Sequence, residues 1–337
     1  MDLPLTSIRT LRPLLDKVNE SNFDNITLEV FRFQAASNLL YQTFLHKRRI
    51  DPVRVNSIGE VPFLPISFFR SHLIQSGSWV PETTFRSSGT TGMVQSMHAI
   101  DSLDRYHEMA TRHFETVFGS LTQYHILALL PSYADRSGSS LVDMVTHFIR
   151  ISGSDLSGFH LHNQAAFLSA VEACRKQADR KILIIGVSFA LLDLAEGSGI
   201  DLSDCLVMET GGMKGRRKEI VREELHAILC EKLNLRSVLS EYGMTELLSQ
   251  AYATQPGLFR PAPTMKILLR ELSDPLSQAA TGRPGGINVI DLVNLHSIAF
   301  IETQDIGRFG QDGVFEVLGR IDNSDARGCS LLVEQSF

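Results

Sequence analysis

One six-residue stretch of this chain has the composition of an anion-binding loop. Ser87-Ser88-Gly89-Thr90-Thr91-Gly92 packs four hydroxyls and two glycines into six positions. A phosphate needs several convergent donors, and hydroxyls with bare backbone N–H groups supply them. The loop is not a Walker A motif, because Met93 and Val94 follow Gly92 where that motif has Lys and Ser or Thr, and it does not match the GxGxxG fingerprint either. Taken alone it fits either a phosphate site or a solvated surface turn.

A second stretch, SEYGMTE from Ser240 to Glu246, combines three chemically useful side chains. Tyr242 offers an aromatic face, Thr245 a hydroxyl and Glu246 a carboxylate. A carboxylate near phosphates usually holds Mg²⁺, a hard cation that prefers oxygen ligands. The competing interpretation is an ordinary strand-to-helix turn capped by Thr245, since an apolar run ends here and a helical one is predicted to begin.

Two further sites are ambiguous on their own. Gly211-Gly212, in ETGGMKGRRKE, follow a predicted buried strand, where a flat ring could lie against the backbone. Asp305, in ETQDIGRF, stands between a predicted strand and Gly307, where an aspartate is either a turn residue or a ligand.

Composition restricts the class of protein. The chain has 337 residues and a net charge of −6, which argues against a nucleic-acid or anionic-membrane surface. We expect no secretory signal and no membrane span, since the start lacks a basic and apolar pattern and no run of 18 apolar residues occurs. The four cysteines, Cys174, Cys205, Cys230 and Cys329, form no CxxC pair, which predicts a reducing cytoplasm and no zinc site.

Hydrophobic periodicity predicts an α/β body. An amphipathic pattern over 26–48, after Asp24-Asn25 as a cap, predicts an N-terminal helix, and a second helix is expected from Ser102 to Phe118. Short apolar runs then alternate with helical patterns, which indicates a parallel sheet covered on both faces. The predicted strands are 124–130, 181–187, 204–210 and 236–243, and the predicted helices are 139–150, 164–178, 188–196 and 217–232.

The pattern changes after Ala253. Four short strand patterns, TMKILLREL, GGINVIDLV, SIAFIET and GVFEVLGRI, follow one another without an intervening helix, which predicts a smaller antiparallel β unit. We therefore expect three parts: a helical segment and α/β body over 1–253, an antiparallel β subdomain over 254–318, and a tail over 319–337 that carries Cys329.

In chain order these motifs resemble those of the adenylate-forming superfamily, which includes acyl-CoA synthetases, peptide-synthetase adenylation domains and luciferases. The resemblance spans about Phe85 to Gly328 and includes Gly319-Arg320-Ile321-Asp322 as a hinge-like motif. It implies that a carboxylate substrate is joined to the AMP moiety of ATP with the help of Mg²⁺.

The resemblance also implies a role for each motif residue. The β- and γ-phosphates would be held by Ser87, Ser88, Gly89, Thr90, Thr91 and Gly92, and the α-phosphate would be contacted by Thr245. The adenine would lie in a slot lined by Gly211 and Gly212, with Tyr242 stacked on the base. Glu246 would bind Mg²⁺, Asp305 would accept hydrogen bonds from the ribose hydroxyls, and Arg320 would approach the ribose or phosphates.

The end of the sequence departs from this pattern. Full-length members of the superfamily continue past the hinge into a small lid domain that supplies a lysine, whereas the present sequence ends at Phe337. The lid is therefore expected to be truncated.

The segment GRIDNSDARGC resembles a narrower family, the acyl-protein synthetase subunit of the bioluminescence fatty-acid reductase complex. That resemblance implies fatty-acid adenylation and transfer of the acyl group to Cys329, a thiol whose pKa Arg327 could lower, and then to a reductase or carrier partner. Three alternatives remain open: an idle terminal cysteine, a truncated acyl- or aryl-CoA ligase of the phenylacetate type, and a non-catalytic subunit that binds acyl groups or nucleotide.

Overall fold

Helices dominate the start of the chain and strands its end. The structure is a computed structural model that describes residues 7–88, 94–132, 138–211, 220–274 and 277–321. Its α-helices are α1 (Ile8–Leu15), α2 (Phe23–Ser37), α3 (Leu39–Lys47), α4 (Phe68–Ser71), α5 (Leu103–Phe118), α6 (Ser140–Ser152), α7 (Gln164–Gln177), α8 (Ser188–Gly197) and α9 (Arg222–Leu233). Its strands are β1 (Leu64–Pro65), β2 (Thr83–Arg86), β3 (Met97–Ile100), β4 (Tyr124–Leu129), β5 (Gly158–Phe159), β6 (Lys181–Gly186), β7 (Cys205–Glu209), β8 (Leu239–Tyr242), β9 (Ala251–Gln255), β10 (Leu258–Pro261), β11 (Met265–Arg270), β12 (Gly285–Asp291), β13 (Phe300–Phe309) and β14 (Phe315–Arg320).

The predicted parallel sheet is confirmed. Strands β8, β7, β6, β4 and β5 lie side by side in this order, and each neighbouring pair is parallel. The central strands β4 and β6 are buried along nearly their whole length, which explains their continuous apolar sequences. Because the strands are parallel, their carboxyl ends meet at one edge of the sheet, and ligands of open α/β sheets bind outside that edge.

The predicted antiparallel strands are also confirmed, and they continue the same sheet. Strand β9 pairs antiparallel with β8, and the order then runs through β10, β14, β13 and β12 to β11. The short β1 adds parallel to β13. Strands β9 and β10 were not predicted, and they form the junction between the two halves. A separate two-stranded antiparallel sheet joins β2 and β3.

Each half of the sheet has its own apolar core. Buried residues of β4, β6 and β7 pack with those of α5 to α9. The N-terminal helices instead pack on the antiparallel half, where Phe31 and Tyr41 contact the ring of Phe300 at 5.9 and 6.2 Å between centroids. Amphipathic faces from opposite ends of the chain thus bury each other.

A buried glutamine fixes this long-range contact. Gln34 on α2 donates through Nε2 to the carbonyls of Asn294 and Leu295 at 3.0 and 3.1 Å. Its Oε1 accepts from the N–H of Ala299 at 2.9 Å. Every polar atom of this amide is thereby satisfied by main-chain groups about 260 residues away in sequence.

Two sequence-based expectations are wrong in detail. The N-terminal pattern is two helices instead of one, because Asn38 has an extended backbone and its side chain accepts from the N–H of Tyr41 to cap α3. Likewise, no helix follows Glu246. The carboxylate of Asp291 accepts from the N–H groups of Leu248 and Ser249 at 2.7 and 2.9 Å and holds this segment in a turn that leads into β9.

No helix in the described part of the chain is both long and apolar enough to cross a membrane.

Candidate active site

Tyr242 is the last residue of β8, at the carboxyl edge of the parallel strands. Its ring is buried and meets Phe259 and Phe315 edge-on, at 5.9 and 5.5 Å between centroids. Its hydroxyl donates to Oδ2 of Asp305 at 2.9 Å. Burial, and then the neighbouring Asp305, raises the pKa of Tyr242 well above its ordinary value, so the phenol stays protonated as a donor.

Asp305 lies within strand β13, so it is not the turn residue that the sequence left open. It is paired in register with Arg320 of β14, whose Nε donates to Oδ1 at 3.2 Å. The Arg320 side chain is 80% exposed and that of Asp305 only 8%. Each carboxylate oxygen thus has one protein donor and keeps acceptor capacity for another. The arrangement leaves a carboxylate and an exposed guanidinium at the same position.

Glu246 is a buried carboxylate four residues after Tyr242. Burial raises its pKa, while a hydrogen bond from Ser96 and the positive charges of Arg70 and Arg320 oppose that rise. Its main-chain carbonyl accepts from Nδ2 of Asn294 at 2.8 Å, which fixes the backbone. A buried carboxylate with few donors gains from a nearby cation, so its surroundings fit a metal ligand.

His98 connects the two chemically suggestive stretches. It lies on β3, and its Nδ1 contacts the carbonyl of Thr245 at 2.9 Å while Nε2 contacts the hydroxyl of Ser297 at 2.8 Å. A carbonyl only accepts, so Nδ1 carries the proton and Nε2 accepts from Ser297. Burial lowers the pKa of His98 to about 4, although the Thr245 bond opposes this, so the ring is neutral. The β2–β3 hairpin is thereby attached to the YGMTE turn.

The candidate phosphate loop leaves β2 and returns to β3. At its base the N–H of Ser96 donates to Oγ of Ser87 at 2.9 Å, and the N–H of Ser87 donates to the carbonyl of Ser96 at 3.1 Å. Ser87 is partly buried in this closure and Ser88 is exposed. The remaining predicted loop residues, Gly89, Thr90, Thr91 and Gly92, lie outside the described residues.

Gly211 occupies a left-handed turn just after β7. Its φ is +74°, a conformation that favours glycine, and among the described residues no atom lies within 4 Å of the position where a Cβ would stand. Its N–H donates to Oε2 of Glu209 at 2.7 Å, and Oε1 of Glu209 accepts from Nε of Arg222 at 2.9 Å. The open side of Gly211 is consistent with a surface against which a flat ring could lie. Gly212 lies outside the described residues.

With this geometry established, comparisons with known proteins place the fold. No family model matches the sequence. No curated protein matches it in sequence either. Solved structures do match in fold. An open conformation of 2-hydroxyisobutyryl-CoA ligase, in complex with 2-HIB-AMP and CoA, superposes with a TM-score of 0.65 at 12% identity over 96% of this chain and 75% of that one.

The fold is that of these CoA ligases. A malonyl-CoA ligase ternary product complex with methylmalonyl-CoA and AMP gives a TM-score of 0.50 at 19% identity, over 73% of this chain and 56% of that one. An ATP-bound RpMatB–BxBclM chimera gives 0.52 at 14% identity, over 70% and 47%. At these identities the likeness establishes the fold, and the activity has to be argued from the site.

In this ligase fold, predicted site residues from distant segments meet at the carboxyl edge. Tyr242, Asp305 and Arg320 form one hydrogen-bonded chain. The positive charge of Arg320 also acts on the pKa of Glu246, which it lowers against the effect of burial. Thr245 is held through its carbonyl. The predicted hinge residue Asp322 and the predicted acyl acceptor Cys329 lie outside the described residues.

Sequence reasoning missed the residues that support this site. They are His98 and Ser96 beside the loop, Arg70 on α4, and the pair Glu209 and Arg222 next to Gly211. A charged residue at the end of an apolar run, such as Glu209 after CLVM, was the one available signal, because a buried charge requires a partner. The partner itself, thirteen residues away, follows only from the fold.

Three cysteines fall in the described part of the chain. Cys174 and Cys205 are buried and Cys230 is half-buried. Burial raises the pKa of Cys174 to about 11, of Cys205 to about 12, and of Cys230 in the same direction. Since the thiolate is the nucleophile, these three thiols are poor acyl acceptors at neutral pH.

Proposed function

We propose that this protein is an ATP-dependent adenylating ligase that activates a carboxylic acid as its acyl-adenylate. The observation that carries the proposal is the chain Tyr242–Asp305–Arg320 beside Glu246. At the carboxyl edge of the sheet these residues bring together the buried ring of Tyr242, the Asp305 carboxylate as an acceptor for ribose hydroxyls, and the exposed guanidinium of Arg320. Glu246 adds a carboxylate that a metal ion could bind. These are the groups that nucleotide binding and phosphoryl displacement need.

The residues divide the work of the first step. The substrate carboxylate attacks the α-phosphorus of ATP and pyrophosphate leaves, so two anions must approach each other. Asp305 accepts hydrogen bonds from the ribose hydroxyls with its remaining lone pairs, and Arg320 places positive charge near the phosphates. Thr245, whose carbonyl is held by His98, is assigned to the α-phosphate. The hydroxyls and backbone N–H groups of Ser87 to Gly92 are assigned to the β- and γ-phosphates.

Glu246 is proposed as the ligand of Mg²⁺. The fit rests on its burial and on the raised pKa, both of which indicate a carboxylate that a cation would stabilise. Bound there, Mg²⁺ supplies the charge neutralisation that brings the two anions together. The positive charge of Arg70 also favours the ionised form of this carboxylate.

For the second step we propose transfer to Cys329. Its thiolate attacks the acyl carbon of the adenylate, AMP leaves, and a thioester forms on the protein. Support comes from the ARGC resemblance and from burial, which raises the pKa values of Cys174, Cys205 and Cys230. A fatty acid as substrate, and an acyl reductase or carrier protein as recipient, are the finer parts of the proposal. A cytoplasmic location suits a free reactive thiol.

A second candidate is an acyl- or aryl-CoA ligase. It is supported by the ligands bound in a similar structure, since the 2-hydroxyisobutyryl-CoA ligase was solved with both 2-HIB-AMP and CoA. The two candidates share the adenylation step and differ only in the thiol that receives the acyl group.

Carboxylate-dependent exchange of labelled pyrophosphate into ATP tests the shared step, with a panel of fatty, short-chain and aryl acids. No exchange with any acid would contradict the adenylating function. Intact-mass spectrometry without CoA then separates the acceptors. An added acyl mass on the protein supports Cys329, whereas acyl-CoA formed only when CoA is present supports the second candidate.

A further inference from the structure

A buried ion pair lies at the carboxyl end of β7, outside the residues assigned to nucleotide above. Glu209 is 1% exposed. Its two oxygens have different partners: Oε1 accepts from Nε of Arg222 at 2.9 Å and Oε2 accepts from the N–H of Gly211 at 2.7 Å. His226 approaches Oε1 at 3.8 Å. The carboxylate thus binds the start of α9 and the glycine turn at once.

Arg222 extends the contact to the other side of the site. Its Nη1 donates to the carbonyl of Val317 on β14 at 3.2 Å, three residues before Arg320. Its guanidinium lies 4.8 Å from the ring centroid of Phe259, and that ring in turn packs against Tyr242. One arginine therefore contacts β14, β10 and, through Glu209, the turn after β7.

A buried ion pair in this position is expected to add little to the stability of the fold. Two ions removed from water lose much hydration energy, and apolar residues of similar volume often stabilise a protein as well or better. What the pair provides is a single geometry, since Gly211 is left-handed and a glycine turn without such an anchor has many conformations.

We propose that Glu209 and Arg222 are a positioning pair that sets the width of the nucleotide slot by holding the Gly211 turn and strand β14 in a fixed relation. In this proposal neither side chain contacts the nucleotide. The inference rests on the proposed function, because it assigns Gly211 to the adenine side and Asp305 with Arg320 to the ribose side of that slot. The pair acts on nucleotide binding and leaves recognition of the carboxylate substrate unaffected.

Two substitutions separate the contacts. In Glu209→Gln the side chain keeps its shape but offers one acceptor and one donor, so it cannot accept from Gly211 and Arg222 together. In Arg222→Lys the positive charge stays near Glu209, while the second donor to Val317 and the planar contact with Phe259 are lost. Both changes are mild enough to report on geometry.

A control ion pair lies beside the opposite end of β7. Arg175 on α7 binds Asp204, the residue before β7, through Nε and Nη2 at 2.9 and 2.7 Å. Arg175→Gln removes this partly exposed ion pair, which lies at the end of β7 away from the candidate site. If weakening β7 were enough to impair nucleotide binding, this control would behave like the other two variants.

The experiment measures ATP binding to the full chain by calorimetry, and KM for ATP, KM for the acid and kcat by pyrophosphate exchange. For Glu209→Gln and Arg222→Lys we expect Kd and KM for ATP to rise about tenfold, with KM for the acid and kcat within about twofold of wild type. Arg175→Gln should match wild type in all four. Amide exchange at Gly211 should be faster in Glu209→Gln than in wild type, whether or not it is also faster in Arg222→Lys.

Each result has a defined meaning. Unchanged ATP affinity in both variants, with wild-type binding and exchange intact, overturns the positioning role and leaves the proposed function standing. An equal rise in Arg175→Gln also overturns it. If Glu209→Gln does not fold, Arg222→Lys decides. A wild-type protein that binds no ATP overturns both this inference and the proposed function.

Discussion

The phenolic hydroxyl of Tyr242 and the carboxylate of Asp305 are joined by a 2.9 Å hydrogen bond between residues 63 positions apart. The bond crosses from the last parallel strand to the antiparallel half of the sheet. It orients a buried carboxylate whose other oxygen, Oδ1, accepts from the exposed Arg320 at 3.2 Å.

Asp305→Ala is expected chiefly to raise KM for ATP. Each hydrogen bond to a charged group contributes about 1.5–3 kcal/mol, and one to ribose would act in ground and transition states alike. The rise should therefore be about 10- to 100-fold with a smaller change in kcat. Tyr242→Phe, which removes only the donor to Asp305, serves as the milder comparison. An unchanged KM for ATP in Asp305→Ala would show that this carboxylate is purely structural.

Glu246→Gln is expected to abolish adenylation without unfolding the protein. The amide has nearly the same shape, and a buried site that already disfavours a negative charge accepts a neutral group. Loss of a metal ligand should lower pyrophosphate exchange by about 10²-fold or more, roughly 2.7 kcal/mol in the barrier. Circular dichroism checks the fold in the same preparation. Exchange at the wild-type rate would remove Glu246 from the metal site.

Glu241 predicts a pH dependence of stability. Burial, reinforced by the negative charge of Glu209, raises its pKa from 4.5 to about 8. A carboxyl group whose pKa is higher in the folded state contributes to the free energy of unfolding. This contribution is complete below pH 4.5 and is lost as the pH rises through 8. Thermal unfolding of the wild type should therefore occur at lower temperature at pH 9 than at pH 6.

Glu241→Gln should flatten that alkaline decline, because its side chain is neutral at every pH. The measurement is Tm by calorimetry between pH 5 and 9. Glu115→Gln, on a partly exposed helical surface, makes the same chemical change and serves as the control. Parallel pH profiles for wild type and Glu241→Gln would contradict the assignment of the decline to this residue.

Cys329→Ser is expected to separate adenylation from transfer. The proposed adenylation residues do not include this thiol, so pyrophosphate exchange should persist. A serine hydroxyl is far less nucleophilic at neutral pH than a partly ionised thiol, so acyl label should disappear from the protein. Cys230→Ser, which replaces a half-buried thiol, is the matched control and should keep its label. Hydroxylamine-labile label on Cys329→Ser would move the CoA-ligase candidate ahead.

The sequence predicted those parts of the fold whose signals are local. Strands β4, β6 and β7 were recognised within one residue at each end, since a buried parallel strand is a continuous apolar run. The helix expected after Glu246 is absent, and the carboxylate of Asp291, more than 40 positions away, accepts from the N–H groups of Leu248 and Ser249 in the turn that leads into β9. A partner so distant in sequence is invisible in a local window.

The candidate site shows the same difference between local signals, which the sequence reveals, and long-range contacts, which it does not. The residues proposed to touch substrate lie in short motifs and were predicted, although their individual roles stay predictions. The residues that hold those motifs in place, His98 and the pair of Glu209 and Arg222, are single letters in ordinary strand or helix patterns. Their importance appears only when the fold brings them to a carbonyl or an N–H group.

Gln34 carries a consequence for the order in which the molecule is assembled. Its amide is satisfied only by groups between Asn294 and Ala299. During synthesis the N-terminal helices therefore leave the ribosome long before their partners exist, with apolar faces that include Phe31 and Tyr41 uncovered. Closing so large a loop is slow, and a nascent chain in this state is prone to aggregate. Yield in cells should consequently depend on translation speed and chaperone supply more than the stability of the finished protein suggests.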